Sequence, residues 1–342
     1  MGALKNHAIR LNSRPAGLPV TGDFELVESE IPTPGTGQVL VRNLYMSVDP
    51  YMRGRMADRK SYTPPFQLGE VLQGGAVGRV AASNGNSDFA AGDYVLSMNG
   101  WREWFVSGSE DLTKIDVSIA PPRAYLGALG MTGLTAYAGL ISIAGLNKDD
   151  RVFVSAAAGA VGSIACQIAR NMGCEIVVGS AGTEEKCAWL TRELKIRDAI
   201  NYRETKNLSA AIADVMPGGI DVYFDNVGGS QLEAALDNMR QGGRIAVCGM
   251  IEQYNAVEPP RAPRNLANVL TRRLTMRGFI VLDHLDMRER FLSDMRDWIA
   301  EGKITWRETV VDGIEHAPEA LIGLFKGDNI GKMLVKLADD EG

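Results

Sequence analysis

The sequence predicts an α/β protein in two parts: a doubly wound parallel sheet in the middle of the chain and a β-rich part around it. Three observations carry this. From Arg151 onward, RVFVS (151–155), EIVVG (175–179), IDVYFDNV (220–227) and GRIAVCGM (243–250) are apolar runs of strand length separated by helical stretches. Runs that are apolar throughout fit strands covered on both faces, as in a parallel sheet. Before residue 120 the pattern is instead short strands and turn signals, and from 302 to 337 it returns to strand, short helix, strand. At 342 residues the chain is also long for a single core.

Taken in order, GQVLVRNLYMSV (37–48) and GGAVGRVAAS (74–83) read as strands. AAGDYVLSMNGWREWFVS (90–107) reads as two strands around the turn Asn99-Gly100. Such segments suggest a small barrel or folded sheet. The character changes at Pro121-Pro122, after which RAYLGALGMTGLTAYAGLISIAG (123–145) predicts helices interrupted at Gly130 to Gly133. The doubly wound block then runs to about residue 300. No internal repeat or low-complexity segment is present.

Composition excludes several classes of function. With 36 Lys and Arg against 42 Asp and Glu, the net charge is −6, so no nucleic-acid or acidic-membrane partner is expected. No run reaches the roughly 18 apolar residues of a membrane span. The start, MGALKNHAIR, has no apolar signal core, and Asn6 stands where a myristoylation pattern needs Ser or Thr. A cytoplasmic protein is expected. Four cysteines (Cys166, Cys174, Cys187, Cys248) and three histidines (His7, His284, His316) lack the spacing of a zinc site. They are expected to be reduced cysteines packed as small apolar groups, with no metal, although spacing says nothing of distant residues that converge.

The stretch SAAAGAVGSIACQIARNMGC (155–174) joins the first strand of this block to a helix. It contains Ala156-x-x-Gly159-x-x-Gly162, with Ala160 and Val161 between the glycines, in place of G-x-G-x-x-G. Small residues there let backbone N–H groups approach a pyrophosphate, and the helix N-terminus adds partial positive charge. A tight strand–helix turn without a ligand would use the same residues, so the surroundings decide. An NAD site places Asp or Glu after the second strand for the ribose 2′-hydroxyl. Here Gly179, Ser180, Ala181 and Gly182 stand there, with Lys186 in the next helix and Tyr202 after the third strand, AINY. Charge from Lys186 and hydroxyls from Ser180 and Tyr202 suit a 2′-phosphate, so the expected cofactor is NADPH/NADP+.

SVDPYMRGRM, GMTGLTAY, AAAGAVGSIACQIA, DVYFDNVGG, MIEQYN, MRGFIV and GDNIGKMLVKL together resemble the zinc-independent medium-chain dehydrogenase/reductases. More narrowly, they are similar to the leukotriene B4 dehydrogenase/prostaglandin reductase group, with its bacterial curcumin-reductase-like and plant alkenal double-bond reductase relatives. The likeness covers nearly the whole chain in family order. It implies a discontinuous GroES-like catalytic domain (1–125 and 303–342) enclosing a Rossmann-type NADPH-binding domain (126–302), with the active site in the cleft and a homodimer formed through the nucleotide-binding domain. Zinc relatives use an early catalytic cysteine, and no cysteine precedes Cys166 here.

The reaction implied is hydride addition to the β-carbon of an α,β-unsaturated aldehyde or ketone, with the enolate oxygen stabilised by a hydrogen-bond donor. The resemblance assigns that role to Tyr254 and places Tyr62, in SYTPP, at the substrate. It assigns Met131, Thr132, Asn226, Cys248, Gly249, Tyr254, Phe279, Ile280, Val281 and Asn329 to the cofactor. Tyr51 and Arg53, with Asp49, match positions at the cleft floor. Thr132 departs from the proline common in the family. Two other readings stand beside this one: a quinone reductase or allylic alcohol dehydrogenase, and an NADPH-binding redox sensor without turnover. A serine hydrolase is disfavoured, because no G-x-S-x-G occurs.

Overall fold

A computed structural model describes residues 5–340, so part of the N-terminal reading, residues 1–4, lies outside the described residues. The chain divides into two compact units. One comprises residues 1–126, 308–329 and 333–342, and the other residues 127–307 and 330–332.

The first unit begins with an antiparallel pair, β1 (Lys5–Leu11) and β2 (Phe24–Glu30), in register from Lys5 opposite Glu30 to Leu11 opposite Phe24. The long strand β3 (Gln38–Ser47) leads into the short helix α1 (Tyr51–Arg55). Next come β4 (Ala76–Asn84), β5 (Tyr94–Ser97), β6 (Trp104–Ser107) and the two-residue β7 (Thr113–Lys114). The strands expected around Asn99-Gly100 exist but are not hairpin partners: β5 pairs with β4 and β7, whereas β6 pairs with β3. The reason lies one residue on. Trp101 is fully buried at φ 61°, its indole stacked on Phe24 with centroids 6.0 Å apart. The Asn43 side chain also donates to the carbonyls of Asn99 (2.9 Å) and Arg102 (2.8 Å). Burying the indole carries the chain across to β3 instead of folding it back.

The second unit opens with α2 (Met131–Ala138), which continues into a π-helical turn over Gly139–Ile143. The interruption expected at Gly130–Gly133 is confined to Gly130, which precedes the helix. Gly133 lies inside it, where a Cβ would stand 2.0 Å from the Ala128 carbonyl oxygen, so close packing and not a helix break requires the glycine. The unit then alternates β8 (Val152–Val154), α3 (Ala160–Asn171), β9 (Val177–Ala181), α4 (Glu184–Arg192), β10 (Asp198–Asn201), α5 (Leu208–Val215), β11 (Ile220–Asp225), α6 (Gly229–Asn238) and β12 (Met239–Val247). It closes with α7 (Asn268–Thr271), β13 (Thr275–Gly278) and α8 (Arg288–Ala300).

The six strands are parallel in the order β10-β9-β8-β11-β12-β13. Counted from β8, this is 3-2-1-4-5-6, the doubly wound order whose direction reverses between the first and fourth strands. The central strands are buried on both faces, and Phe153 of β8 stacks on Tyr223 of β11 at 5.5 Å. That explains why these segments are so largely apolar.

The chain leaves this unit after Arg307 and not at 303, because residue 305 is tied to α3. The Gln167 side chain donates to the Thr305 carbonyl and accepts its N–H, each at 2.8 Å. The tail forms β14 (Glu308–Asp312), α9 (Ala317–Lys326) and β15 (Lys332–Lys336). They complete a sheet in the order β14-β15-β3-β4-β5-β7, with β6 also on β3. Ile9, Leu11, Met46, Met52, Trp101, Leu321 and Val335 form the core of this unit.

Candidate active site

The switch in strand order sets the crevice between the carboxyl ends of β8 and β11, where such sheets bind ligands. The glycine loop occupies it. Ala156 adopts φ +47°, a left-handed conformation that costs an alanine about 1 kcal/mol. Its carbonyl accepts the Gly159 N–H at 3.0 Å, and the Ala157 N–H donates to the Ser180 carbonyl at 2.8 Å. A Cβ on Gly162 would lie 2.4 Å from the Ala156 oxygen and 2.8 Å from the Ala157 Cα, both backbone atoms, so that position admits only glycine. The first helical bond runs from Ser163 N–H to the Gly159 carbonyl at 3.0 Å. It leaves the amides of Ala160, Val161 and Gly162 at the helix start for an anion. The tail secures the loop from outside, the Gly331 N–H donating to the Ala158 carbonyl at 2.8 Å.

At the end of β9, Gly182 lies under two side chains. A Cβ there would be 3.2 Å from the Tyr202 hydroxyl and 3.1 Å from Arg203 Nε. β10 runs beside β9 with Asn201 opposite Ala181, which brings Tyr202 and Arg203 over the glycine. Lys186 is half-buried one turn into α4, whose start is capped by Thr183. Arg203 was not foreseen; its only signal is that it follows Tyr202 on the same strand end. Ser180 does not join them. It is fully buried, and its hydroxyl donates to Gln231 Oε1 on α6, because alternation along β9 turns its side chain away from that of Ala181.

Across the switch, Asp225 ties three strand ends together. Its buried carboxylate accepts the Tyr223 hydroxyl (2.7 Å), the N–H groups of Val227 (3.0 Å) and Gly228 (2.8 Å), and the Ser155 hydroxyl (3.3 Å). Its carbonyl accepts the N–H groups of Cys248 (2.8 Å) and Gly249 (3.0 Å). Burial raises its pKa above the ordinary carboxylate value, against the pull of those hydrogen bonds. Asn226 binds the end of β8, its side chain donating to the Ser155 carbonyl at 2.7 Å and its N–H to the Ser155 hydroxyl at 2.9 Å.

Tyr254 follows a short turn, Ile251–Gln253, just past β12. Its hydroxyl accepts the Met250 N–H at 3.3 Å and lies 3.2 Å from where a Gly249 Cβ would be. Among the described residues its own proton is spent on no acceptor. Burial raises the phenol's pKa, so it stays protonated at neutral pH. Phe279, Ile280 and Val281 follow the end of β13, with the Phe279 ring edge-on to Phe224 at 6.5 Å. Met131 is partly exposed at the start of α2. Thr132 is buried and donates its hydroxyl to the Gly127 carbonyl at 2.9 Å, which fixes the helix start.

The first unit holds the remaining candidates. Arg53 is buried, its guanidinium donating to the carbonyls of Gly17 (3.0 Å) and Pro15 (3.1 Å). Through these bonds the group stitches a loop to α1. Asp49 accepts the Ser47 hydroxyl. The Tyr51 hydroxyl is buried beside Arg55, with no partner at hydrogen-bonding geometry among the described residues, and burial raises its pKa. Tyr62 is exposed, and Asn329 is buried.

Among the described residues no group of three His, Cys, Asp or Glu converges as metal ligands would. Burial pushes Cys166, Cys174 and Cys248 up to about 12 and Cys187 to about 11, so these thiols stay protonated at neutral pH. Among the described residues no helix is long and apolar enough to cross a membrane.

A sheet in this order, with a bare helix start at its switch point, is the arrangement of a dinucleotide-binding domain. Residues 7–115 match a family model described as the N-terminal domain of oxidoreductase, and residues 160–300 one described as zinc-binding dehydrogenase. The chain belongs to the medium-chain dehydrogenase/reductases, in the group of NADP-dependent reductases. It is 42% identical over 342 residues to the NADPH-dependent curcumin reductase of Escherichia coli, covering 98% of each chain. It is also 42% identical over 341 residues to the NADP(+)-dependent 2-alkenal reductase of Nicotiana tabacum, again covering 98% of each. The crystal structure of CurA from Vibrio vulnificus in complex with NADPH superposes with a TM-score of 0.91 at 42% identity, over 97% of this chain and 99% of that one.

Proposed function

We propose that the protein is an NADPH-dependent reductase of the activated C=C bond of α,β-unsaturated aldehydes and ketones. The observation that carries the reading is the Tyr254 phenol. It is held protonated past the end of β12, with its proton unspent among the described residues and its oxygen fixed by the Met250 N–H. When bound, NADPH supplies the hydride. The amides of Ala160, Val161 and Gly162 hold its pyrophosphate, and Lys186, Tyr202 and Arg203 hold its 2′-phosphate. Met131, Asn226, Cys248, Gly249, the Phe279–Val281 backbone and Asn329 complete the cofactor set. Tyr254 donates to the carbonyl oxygen as it gains charge, and Tyr62 is the second substrate contact.

The test is NADPH consumption with a panel of enals, enones, quinones and allylic alcohols. Saturating turnover is expected with enals and enones. Turnover on quinones alone would make the protein a quinone reductase, and tight NADPH binding without turnover on any acceptor would make it a sensor.

The proposal includes a homodimer joined through the nucleotide-binding unit. β13 ends its sheet as an edge strand, and Leu270, 80% exposed, stands with Leu266, Leu282 and Leu285 as exposed apolar side chains in the flanking segments. Unpaired edges and exposed apolar groups together favour association. Light scattering is expected to give twice the 37.0 kDa of the chain; a mass of one chain at micromolar concentration would reject the dimer.

A further inference from the structure

The loop that carries Tyr254 leaves the end of β12 and returns over the start of α6, and one side chain fastens it there. The Glu252 carboxylate accepts the Ser230 N–H at 3.1 and 3.2 Å and the Ser230 hydroxyl at 2.8 Å. The Glu252 N–H donates to the Val227 carbonyl at 3.2 Å, and the Ile251 N–H to the Asn226 carbonyl at 3.4 Å. Ser230 is the second residue of α6. The carboxylate therefore does what a capping side chain does, satisfying an otherwise orphan amide and meeting the positive end of the helix. Unlike an ordinary cap, it comes from a residue 22 positions away, so it joins two segments that the backbone alone would leave independent.

The backbone beneath is shaped for this contact. Gly229 has φ +46°, and a Cβ on it would stand 2.0 Å from Glu252 Oε1. Gly228 has φ +72°, and its Cβ would lie 3.1 Å from Met250 Cγ. The Gly228-Gly229 pair thus opens the space into which the loop settles. The same turn sets the phenol, since the Tyr254 N–H donates to the Ile251 carbonyl at 3.3 Å and its hydroxyl accepts the Met250 N–H.

We propose that Glu252 is a positioning residue for the reduction: by capping α6 through Ser230 it holds the Tyr254 hydroxyl where the substrate oxygen meets it. This rests on the reading of Tyr254 as the hydrogen-bond donor. The α6 start is closed by this carboxylate, so it offers nothing to the cofactor, and the effect of Glu252 is on the chemical step and not on NADPH binding.

The experiment compares Glu252→Ala, Glu252→Gln, Tyr254→Phe and the double variant Glu252→Ala/Tyr254→Phe in the full chain. Glu252→Ala is expected to lower kcat on an enone about 10-fold while the Kd for NADPH stays within about twofold. Glu252→Gln keeps an acceptor for Ser230 and should recover to within about threefold of the parent. In the Tyr254→Phe background, Glu252→Ala should change kcat by less than about twofold, because the group it positions is gone. An unchanged kcat in Glu252→Ala, or the same loss in both backgrounds, would overturn the proposal.

Hydrogen exchange of the 249–256 amides separates the two readings, and Glu252→Ala should speed it at least about 10-fold. If Tyr254→Phe leaves turnover intact, the donor assignment fails whatever the exchange shows. If Tyr254→Phe slows turnover but exchange in Glu252→Ala is unchanged, the anchoring fails alone. Should Glu252→Ala not fold, Ser230→Ala removes only the hydroxyl bond, and an exchange rate equal to the parent's would count against the anchor.

Discussion

Tyr254→Phe is expected to slow enone reduction by at least about ten-fold while NADPH still binds, because the substitution removes one hydroxyl and its bond from the Met250 N–H but leaves the loop's backbone–backbone bonds in place. Losing one donor to a developing oxyanion typically costs on the order of 100-fold in rate. The phenol suits this role because of where it sits. Burial raises its pKa, the Met250 N–H opposes that rise, and the first effect is the larger. A group kept neutral at pH 7 donates a hydrogen bond without first losing a proton, and a fixed oxygen needs little reorganisation when charge appears. Steady-state kinetics with an enone, together with an NADPH titration, separates the two effects. A kcat equal to the parent's would remove Tyr254 from the reaction.

Removing the cations at the Gly182 corner should act on the cofactor alone. Each charge-assisted hydrogen bond to a phosphate contributes about 1.5–3 kcal/mol, which is about 10- to 150-fold in affinity. Lys186→Ala and Arg203→Ala should each lower kcat/KM for NADPH by at least about 10-fold and leave that for NADH within about twofold. The expected contrast between the two nucleotides comes from position. The side chains of Tyr202 and Arg203 converge on Gly182, where no Cβ intervenes, and no carboxylate stands among Gly179 to Gly182 at the end of β9 to bind a ribose hydroxyl. Equal losses with both nucleotides would mean that these residues support the fold there and do not read the phosphate.

The sheet was legible because its central strands are buried on both faces and so nearly continuously apolar, a signal that survives without knowledge of partners. The glycine loop was legible for a related reason: Gly162 is excluded from having a side chain by atoms only six residues away. What the sequence hid depended on distant partners or on side-chain direction. Ser180 looked available until alternation along β9 turned it onto Gln231, 51 residues on. Arg203 was missed because it reaches the Gly182 corner only through the pairing of β10 with β9. Arg53 sat in a family motif, yet its guanidinium is taken up by the carbonyls of Pro15 and Gly17. The Asn99-Gly100 turn misled for the same reason, since a buried indole outweighs a local turn preference.

The bond from the Gly331 N–H to the Ala158 carbonyl bears on how the protein is made. A chain emerging from the ribosome folds its earlier segments first, but the glycine loop gains this backbone partner only once residue 331 has been synthesised. A truncated product ending before residue 330 lacks that donor, and the Ala158 carbonyl is left to water. The loop between β8 and α3 therefore depends on a donor 173 positions further along the chain, and a fragment of the second unit that stops at Arg307 leaves that donor behind.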